Sequence, residues 1–301
     1  MTFPDAGRQK LDYYIVDVFT ETALKGNGLA VVFDTIGLAT DRMQEIAREF
    51  NLSETTFIQR RDPAIERHEG VRVRIFTTQE ELPFAGHPTL GTASVLRLFA
   101  PETLSEDTLR LALKVGTVPV RFKPDGLFGE MTQRDPEFGQ ALDPAVVARL
   151  IGLRPDDLHT AVPPQVVSTG TAFAIVALSS HEPLARLRVD QDAATSYLRK
   201  HSGRWFYVLG PTGSDSPAWR ARMQFYGGED PATGSAAGCA ISYLVGHNIV
   251  TAGKQIHVQQ GVEVGRTSDL FLTADFESSK VTNVRVAGST VPVAKGELFL
   301  P

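Results

Sequence analysis

The stretch Glu81-Leu82-Pro83-Phe84-Ala85-Gly86-His87-Pro88-Thr89 leads from a predicted strand into a predicted buried helix at 90–99. A counterpart at 229–235, Glu-Asp-Pro-Ala-Thr-Gly-Ser, precedes a helix of small residues at 236–245. Four positions around the two stretches are identical at an offset of 148 residues: Arg74 and Arg222, Glu81 and Glu229, Pro83 and Pro231, Gly86 and Gly234. Because half of 301 residues is about 150, this match predicts two structurally equivalent αβ halves.

The order of predicted elements supports the same division. Both halves begin with two strands around a Gly-containing turn, followed by a helix and two further strands. In the first half these elements are 14–19, 29–33, 41–50, 53–59 and 71–77, with a hairpin over 109–122; in the second half they are 166–168, 173–178, 192–201, 205–209 and 219–226. A cleft between two such halves is a natural ligand site.

The predicted crossing between the halves lies within 133–141. We expect a first domain over residues 1–135 and a second over 136–289; whether the last strand, within 290–301, packs back onto the first domain is left open. The segment 60–70, rich in charge and containing Pro63, is predicted to be a solvated hairpin loop.

The two Gly-rich turns are candidate anion-binding sites. The first turn of a helix presents unpaired N–H groups and a partial positive charge, and small residues there let a carboxylate or phosphate approach the backbone. Either turn alone is more typical of a tight strand-to-helix connection than of an anion site. Their repetition favours two anion-binding helix starts that face one cleft.

Three titratable residues lie in or near these features. His87, inside the first turn, is placed to reach a ligand, although a lone histidine is often a structural donor. Asp230 precedes Pro231 in the second turn and is also consistent with an ordinary capping role. Glu54 begins a predicted strand beside hydroxyl residues; a partly apolar cleft would raise its pKa, but most glutamates at strand edges are solvated.

Composition excludes several classes of function. The net charge of -5, without long Lys/Arg runs, argues against a nucleic-acid partner. The longest clean apolar run, 172–178, is seven residues, whereas a membrane helix needs about 20, so we expect no membrane partner and a cytoplasmic protein. The seven histidines show no metal-ligand spacing, and no metal site is predicted.

A single cysteine, Cys239, is equally restrictive. One thiol excludes an internal disulfide, a multi-thiolate zinc site and any mechanism that uses two thiols of one chain. Its place in the small-residue helix predicts a buried hydrophobic residue rather than a nucleophile.

Four stretches, in the same order along the chain, closely resemble motifs of the phenazine biosynthesis PhzF family. They are Asn51-Leu52-Ser53-Glu54-Thr55-Thr56-Phe57, residues 82–93, residues 229–238 and Gln260-Gly261-Val262-Glu263-Val264-Gly265-Arg266. The resemblance implies the α+β diaminopimelate epimerase-like fold, with two pseudo-symmetric αβ domains, each a β-barrel-like sheet around a central helix. It also implies a homodimer.

The same resemblance implies an isomerase of trans-2,3-dihydro-3-hydroxyanthranilate or a related small carboxylic acid, without metal or organic cofactor. By motif, Glu54 matches the family's acid/base, and His87 and Asp230 match residues that hold polar groups and assist proton movement. Gly86, Gly234 and Ser235 match the helix-start groups that grip the substrate carboxylate. One departure is Gly28, where the family often has proline.

Two alternatives remain open. The first keeps the fold but racemises or epimerises a carbon α to a carboxylate; enzymes of this fold that do so usually use two thiols. The second is a non-catalytic protein that binds small acids in the cleft.

Overall fold

Each half of the chain is a curved set of strands wrapped around one buried helix. A computed structural model describes residues 9–124, 126–225 and 228–300. The first eight strands are β1 (Gln9–Val18), β2 (Asn27–Val32), β3 (Glu54–Gln59), β4 (Val71–Phe76), β5 (Glu81–Leu82), β6 (Thr108–Leu113), β7 (Gly116–Phe122) and β8 (Gly129–Thr132). The helices among them are α1 (Thr40–Phe50), α2 (Pro63–Glu69) and α3 (Gly86–Phe99).

The remaining elements repeat this arrangement. The strands are β9 (Glu137–Ala141), β10 (Gln165–Ser168), β11 (Ala172–Ala177), β12 (Trp205–Pro211), β13 (Trp219–Arg222), β14 (Gln224–Phe225), β15 (Gly228–Glu229), β16 (Ile256–Gln260), β17 (Ser268–Glu277), β18 (Lys280–Gly288) and β19 (Thr290–Leu300). The helices are α4 (Pro144–Leu150), α5 (Gln191–Lys200) and α6 (Gly234–Gly246), with short 3-10 turns at Pro101–Thr103, Pro155–Asp157 and Glu182–Arg186. Tyr226, predicted as the end of a strand, lies outside the described residues.

Strand pairing follows one series in both halves. In the first, β1–β2, β3–β4, β6–β7 and β7–β8 are antiparallel, and β2–β3 and β4–β6 are parallel. In the second, β10–β11, β12–β13, β16–β17 and β17–β18 are antiparallel, and β11–β12 and β13–β16 are parallel. The prediction of two equivalent halves is therefore confirmed at the level of strand topology.

The central helices α3 and α6 are the core of the two halves. Their residues from Gly86 to Leu96 and from Gly234 to Val245 are buried, and both helices are apolar or small on all sides. A helix that is apolar all round has to be enclosed, and the strands of each half enclose it. Cys239 lies inside α6 and is fully buried, as predicted.

The two halves share an edge and exchange a strand. β8 pairs with β18, which joins the two sets of strands. The chain leaves the first half after β8, and β9 pairs with β10 of the second; after β18, β19 returns and pairs with β1 over its whole length. We propose on this basis that the units divide at residues 135–136 and that 290–300 belongs to the first.

The repeated Arg and Glu positions form the same contact twice. Arg74 donates two hydrogen bonds of 2.8 Å to the carboxylate of Glu81. Arg222 binds Glu229 in the same fork, at 2.9 and 2.5 Å. Such bidentate pairs are geometrically specific, and each here fixes the strand that leads into a central helix.

The charged segment 60–70 connects the antiparallel strands β3 and β4 and is mostly exposed, as predicted, but it forms the helix α2 where only a loop was expected. The Asp62 side chain accepts from the Ala64 N–H, and Pro63 takes the first helical position, where no N–H is needed. Glu66 is buried because Arg60 and the N–H of Arg61 bind its carboxylate. The segment is therefore a solvated helix with one buried, ion-paired carboxylate.

None of the helices within the described residues is long and apolar enough to span a membrane.

Candidate functional site

The starts of the two central helices meet at the junction of the halves. A Cβ atom added to Gly86 would lie 2.4 Å from the Gly234 carbonyl carbon and 2.4 Å from the Ser235 nitrogen. Neither helix has a side-chain cap: the N-cap residues are Ala85 and Thr233, and neither makes a capping hydrogen bond. The two positive helix ends therefore lie next to each other, and their first N–H groups have no side-chain cap, which is an arrangement that favours an anion.

Glu54 approaches this junction from β3. Because side chains alternate along a strand, Glu54, Thr56 and Ile58 face the central helix α3. The Thr56 hydroxyl lies 2.8 Å from that of Thr92 in α3, and Ile58 packs into the core around it. Phe57 points the other way and packs with Met43 of α1. The pleat of β3 thus buries the Glu54 carboxyl beside the start of α3.

His87 faces Glu54 from the first turn of α3. Its Nε2 atom lies 3.5 Å from Glu54 Oε2, and both atoms are buried without a hydrogen-bond partner. Burial lowers the pKa of His87 to about 3, while the Gly28 carbonyl acts in the opposite direction. The imidazole is therefore neutral at physiological pH. Two polar atoms that face each other unpaired in a dry site are placed to exchange a proton through a ligand.

Asp230 completes the site from the second half. Its Oδ1 accepts from Asn27 at 2.7 Å, and its Oδ2 accepts from the Thr233 hydroxyl at 2.6 Å. The Ser53 side chain is a further donor. Asp230 is buried, yet it is surrounded by donors, which is the setting in which a carboxylate stays ionised.

The two buried carboxyl groups influence each other. Burial raises the pKa of Glu54 well above its usual value, and the negative charge of Asp230 raises it further. Burial also raises the pKa of Asp230, to about 6, although the donors Thr233, Asn27 and Ser53 oppose that rise. Since like charges at close range do not readily ionise together, the proton of the pair belongs on the group with fewer donors, Glu54.

The structure brings together all six residues nominated from the sequence. Glu54, His87 and Gly86 come from the first half, and Asp230, Gly234 and Ser235 from the second. Asn27 was missed: its amide binds Asp230 and the Ala232 carbonyl, and its Nδ2 lies 3.2 Å from His87 Nδ1. The signal was present in the Gly26-Asn27-Gly28 turn at the start of β2, which shows no dinucleotide fingerprint but does carry this amide.

An ion pair between Arg266 of the second half and Asp17 of the first connects the halves next to the site. Arg266 Nη2 donates to Asp17 Oδ1 at 2.5 Å, and its Nε donates to the Gly26 carbonyl at 2.8 Å. Asp17 is buried and also accepts from the Leu24 N–H. Because Asn27 follows Gly26 directly, this joint holds the turn that presents Asn27 to Asp230.

A second arrangement of reactive groups lies elsewhere, beside a cavity of about 350 Å³. Ser216 Oγ is 2.9 Å from His257 Nδ1, and His257 Nε2 is 2.8 Å from Asp269 Oδ1. Hydrolysis would require backbone donors for the oxyanion. Pro217 has no N–H, and the Ser216 N–H already faces Ser214 Oγ at 3.4 Å. This arrangement therefore supports no hydrolytic function.

No metal site is present among residues 9–124, 126–225 and 228–300, because no three His, Cys, Asp or Glu side chains there are grouped so as to hold an ion. The chemistry that the main site can perform with its own groups is proton transfer by Glu54 and His87, next to a place for an anion.

Comparison with known proteins shows similarity over nearly the whole chain. A family model described as "Phenazine biosynthesis-like protein" matches residues 16–296. The trans-2,3-dihydro-3-hydroxyanthranilate isomerase of Pseudomonas aeruginosa is 36% identical over 294 residues, which cover 96% of this chain and 99% of the relative.

Solved structures extend the similarity to the fold. A PhzF family protein from Bacillus anthracis superposes with a TM-score of 0.82 at 26% identity, covering 96% of this chain and 99% of that one. A hydroxyproline epimerase from Agrobacterium vitis gives a TM-score of 0.64 at 9% identity, covering 97% and 93%. The second likeness concerns the fold alone, and it confirms the diaminopimelate epimerase-like fold that the sequence implied.

Proposed function

Because the chain belongs to the family of phenazine biosynthesis-like proteins described by the PhzC-PhzF model, we propose that it is a cofactor-independent isomerase. Its substrate is trans-2,3-dihydro-3-hydroxyanthranilate or a related small cyclic amino or hydroxy acid. The substrate assignment is supported by the 36% identical relative of that name. The reaction moves a proton and the double bonds of the ring by carboxylate general acid/base catalysis.

One observation carries this proposal: a buried carboxyl oxygen without a partner faces a buried, unpaired imidazole nitrogen beside two converging helix starts. Glu54 Oε2 and His87 Nε2 are 3.5 Å apart, and neither has a hydrogen-bond partner. In a structural ion pair the two atoms would be hydrogen-bonded to each other. Two buried polar atoms without partners are instead typical of a site in which a bound ligand supplies the missing hydrogen bonds.

Each group then has a role that follows from its surroundings. The free N–H groups at Gly86, Gly234 and Ser235 bind the substrate carboxylate. Glu54 takes the C3 proton and returns it elsewhere on the ring as the double bonds shift, and the enol product tautomerises to a ketone. His87 and Asp230 hold the polar substituents and assist the proton movement.

Substrate entry requires this closed site to open. Glu54, His87 and Asp230 are only 7%, 2% and 4% exposed, so a ring-sized molecule has no direct path to them. Closure also explains the electrostatics, because exclusion of water is what raises the pKa of Glu54 and makes its carboxylate a stronger base.

The test is the variant Glu54→Gln, assayed for consumption of trans-2,3-dihydro-3-hydroxyanthranilate and for deuterium uptake from D₂O. We expect a rate loss of about 10²- to 10⁴-fold with the fold retained. Glu137→Gln makes the same change at the exposed start of β9 and should keep the wild-type rate. An unchanged rate in Glu54→Gln would contradict the assignment of Glu54 as the general acid/base.

The same assay distinguishes the alternatives. Deuterium at the α-carbon of free amino acids would indicate racemisation or epimerisation; binding of cyclic acids without any exchange would indicate a non-catalytic binding protein. The only thiol, Cys239, is fully buried, contacts Thr169 and Thr171, and has its pKa raised by burial to about 11, which disfavours a thiol mechanism.

From the family resemblance we also propose a homodimer, which light scattering on the purified protein tests. The cytoplasmic location stays a prediction from composition.

A further inference from the structure

The stretch 260–266 was singled out in the sequence, and the proposed reaction gives its first residue no role. Gln260 is the last residue of β16 and is fully buried. Its side-chain amide makes four hydrogen bonds. Oε1 accepts from the Thr233 N–H and the Tyr207 hydroxyl, both at 3.1 Å, and Nε2 donates to the Asp230 carbonyl at 2.8 Å and the Thr233 hydroxyl at 3.0 Å.

The orientation of this amide follows from its neighbours. The Thr233 N–H can only donate, so the atom facing it has to be Oε1. The Asp230 carbonyl can only accept, so the atom facing it has to be Nε2. The two requirements agree, and a flipped amide would break both contacts.

The amide in turn determines the direction of the Thr233 hydroxyl. A hydroxyl has one hydrogen to donate. Because Thr233 Oγ1 accepts from Gln260 Nε2, its hydrogen is directed to Asp230 Oδ2, 2.6 Å away. The other carboxylate oxygen is held by Asn27, which uses its two amide hydrogens on Asp230 Oδ1 and the Ala232 carbonyl.

We propose that Gln260 is a positioning residue for Asp230: its buried amide turns the Thr233 hydroxyl towards the Asp230 carboxylate, so that both carboxylate oxygens accept hydrogen bonds. The charged and titratable groups that face Asp230 are Glu54 from β3, the adjacent Glu229, Tyr207 from β12 and the neutral His87 from α3. Gln260 thus keeps Asp230 as the anion of the site and leaves the mobile proton to Glu54. This inference rests on the proposed function for its catalytic meaning, but not for its test.

The test measures proton binding by Asp230 directly. The full-length protein is labelled with aspartate carrying ¹³C in the carboxyl group and titrated by NMR, and the Asp230 signal is identified by its loss in Asp230→Asn. Thr233→Val removes the hydroxyl without changing the size of the side chain. Since a hydrogen bond to a charged group stabilises the charged form, we expect Asp230 to bind its proton about 10- to 150-fold more tightly in this variant.

The matched variants separate positioning from packing. Thr233→Ser keeps the hydroxyl and should titrate like the wild type. Gln260→Met keeps the length of the side chain but removes the amide, and should also tighten proton binding by Asp230. Because Gln260 acts through the hydroxyl, adding Gln260→Met to Thr233→Val should change the titration by less than Gln260→Met does alone. If Gln260→Met does not fold, Tyr207→Phe removes one of the two donors that orient the amide and should shift the titration in the same direction.

An unchanged Asp230 titration in folded Thr233→Val, or equal effects of Gln260→Met in both backgrounds, would overturn the proposal. The titration uses no substrate, so its result stands apart from the activity assay. A protein that does not turn over trans-2,3-dihydro-3-hydroxyanthranilate but shows the expected shifts would contradict the proposed function alone. Where the protein is active, the acid limb of kcat/KM should move to higher pH in Thr233→Val and stay in place in Thr233→Ser.

Discussion

Glu54 and Asp230 are chemically similar side chains that their surroundings assign to different tasks. Both are buried, and burial raises the pKa of both. The cost of burying the Asp230 carboxylate is offset by hydrogen-bond donors at both of its oxygens, whereas Glu54 Oε2 has no donor. Environments that differ in this way divide a pair of carboxyl groups into a fixed anion and a proton carrier.

The activity should therefore fall on the acid side at a higher pH than an ordinary glutamate would cause. Glu54 has to be ionised to accept a proton, and its pKa is raised; that of Asp230 is raised to about 6. We expect kcat/KM to decrease as the pH is lowered through the apparent pKa values of this pair. An acid limb at the usual pKa of glutamate, about 4.3, would show that the site is solvated during catalysis.

The raised pKa of Glu54 should also affect the folding stability of the protein, which should decrease with rising pH while the activity increases. A folded-state pKa above the unfolded one means that the folded protein binds more protons between the two values, so its stability decreases as the pH rises through that window. Glu54→Gln removes this effect. We expect the variant to gain stability over the wild type as the pH rises from 4.5 through the raised pKa of Glu54, measured as urea midpoints. A difference that is independent of pH would contradict the burial of an uncompensated carboxyl.

Single residues were the hardest part of the site to predict. Local sequence offered little reason to choose Glu54, because its burial is a tertiary property and its charged neighbour Asp230 lies more than 170 positions away. Family motifs supplied that information. Asn27 was missed because its partners, Asp230 and Ala232, lie 203 and 205 positions away in the chain.

At the level of elements, the contact between α3 and α6 requires glycine at its closest point. A Cβ on Gly86 would meet backbone atoms of Gly234 and Ser235 at 2.4 Å, and backbone cannot turn aside as a side chain does. We expect Gly86→Ala to separate the helix starts, to lose about 1–3 kcal/mol of stability and to raise KM for a carboxylate substrate.

Gly228→Ala is the matched control for this change. Among the residues that the structure describes, a Cβ there would have one atom within 4 Å, the Phe225 carbonyl oxygen at 3.8 Å. Its urea midpoint and KM should stay close to the wild type. If Gly86→Ala behaved in the same way, the helix starts would not be packed as closely as described.

The elements that were predicted correctly are those with a strong hydrophobic period. Helices α1 and α5 and the hairpin of β6 and β7 follow the expected ranges closely. Helix α2 was missed because it is mostly exposed and has no apolar face, although Asp62-Pro63 is a recognisable helix start. Short strands such as β8 and β9 carry too few residues for any period to show.

At the scale of the molecule, the two halves are held by polar contacts that cross the site. Arg266 binds Asp17 and the turn before Asn27. We expect Arg266→Met to loosen this joint, with faster hydrogen exchange at the Leu24 and Gly26 amides. The stability loss should be about 1–3 kcal/mol, below the usual cost of breaking a fully buried pair because Arg266 is one-third exposed.

Arg121→Met provides the comparison on the surface. Its partner is Asp107, and the Arg121 side chain is 72% exposed. Because both partners are solvated, the loss there should be clearly smaller than in Arg266→Met, with no change of hydrogen exchange near Asn27. Equal losses in the two variants would mean that the Arg266 contact contributes no more than a surface pair.

The repeat in the sequence predicted the two halves but not how they are joined. Identical residues at a fixed offset report equivalent positions, and the paired Arg–Glu forks bear this out. The edge contact of β8 with β18 and the return of β19 to β1 depend on pairing between distant strands. No local pattern encodes that pairing.

β9 and β19 each follow one half in the chain and pair with the other half, and the ends of the described chain meet in space. Gln9 pairs with Leu300, so the two ends of the described chain lie side by side. A circular permutant that links residue 300 to residue 9 and opens at 134–136 would keep every strand pairing. It would also place β9 to β18 on one continuous segment and β19 with β1 to β8 on the other. The crossing of β19 to the first half therefore depends only on where the chain termini lie. With termini at 134–136, each half would be a contiguous folding unit.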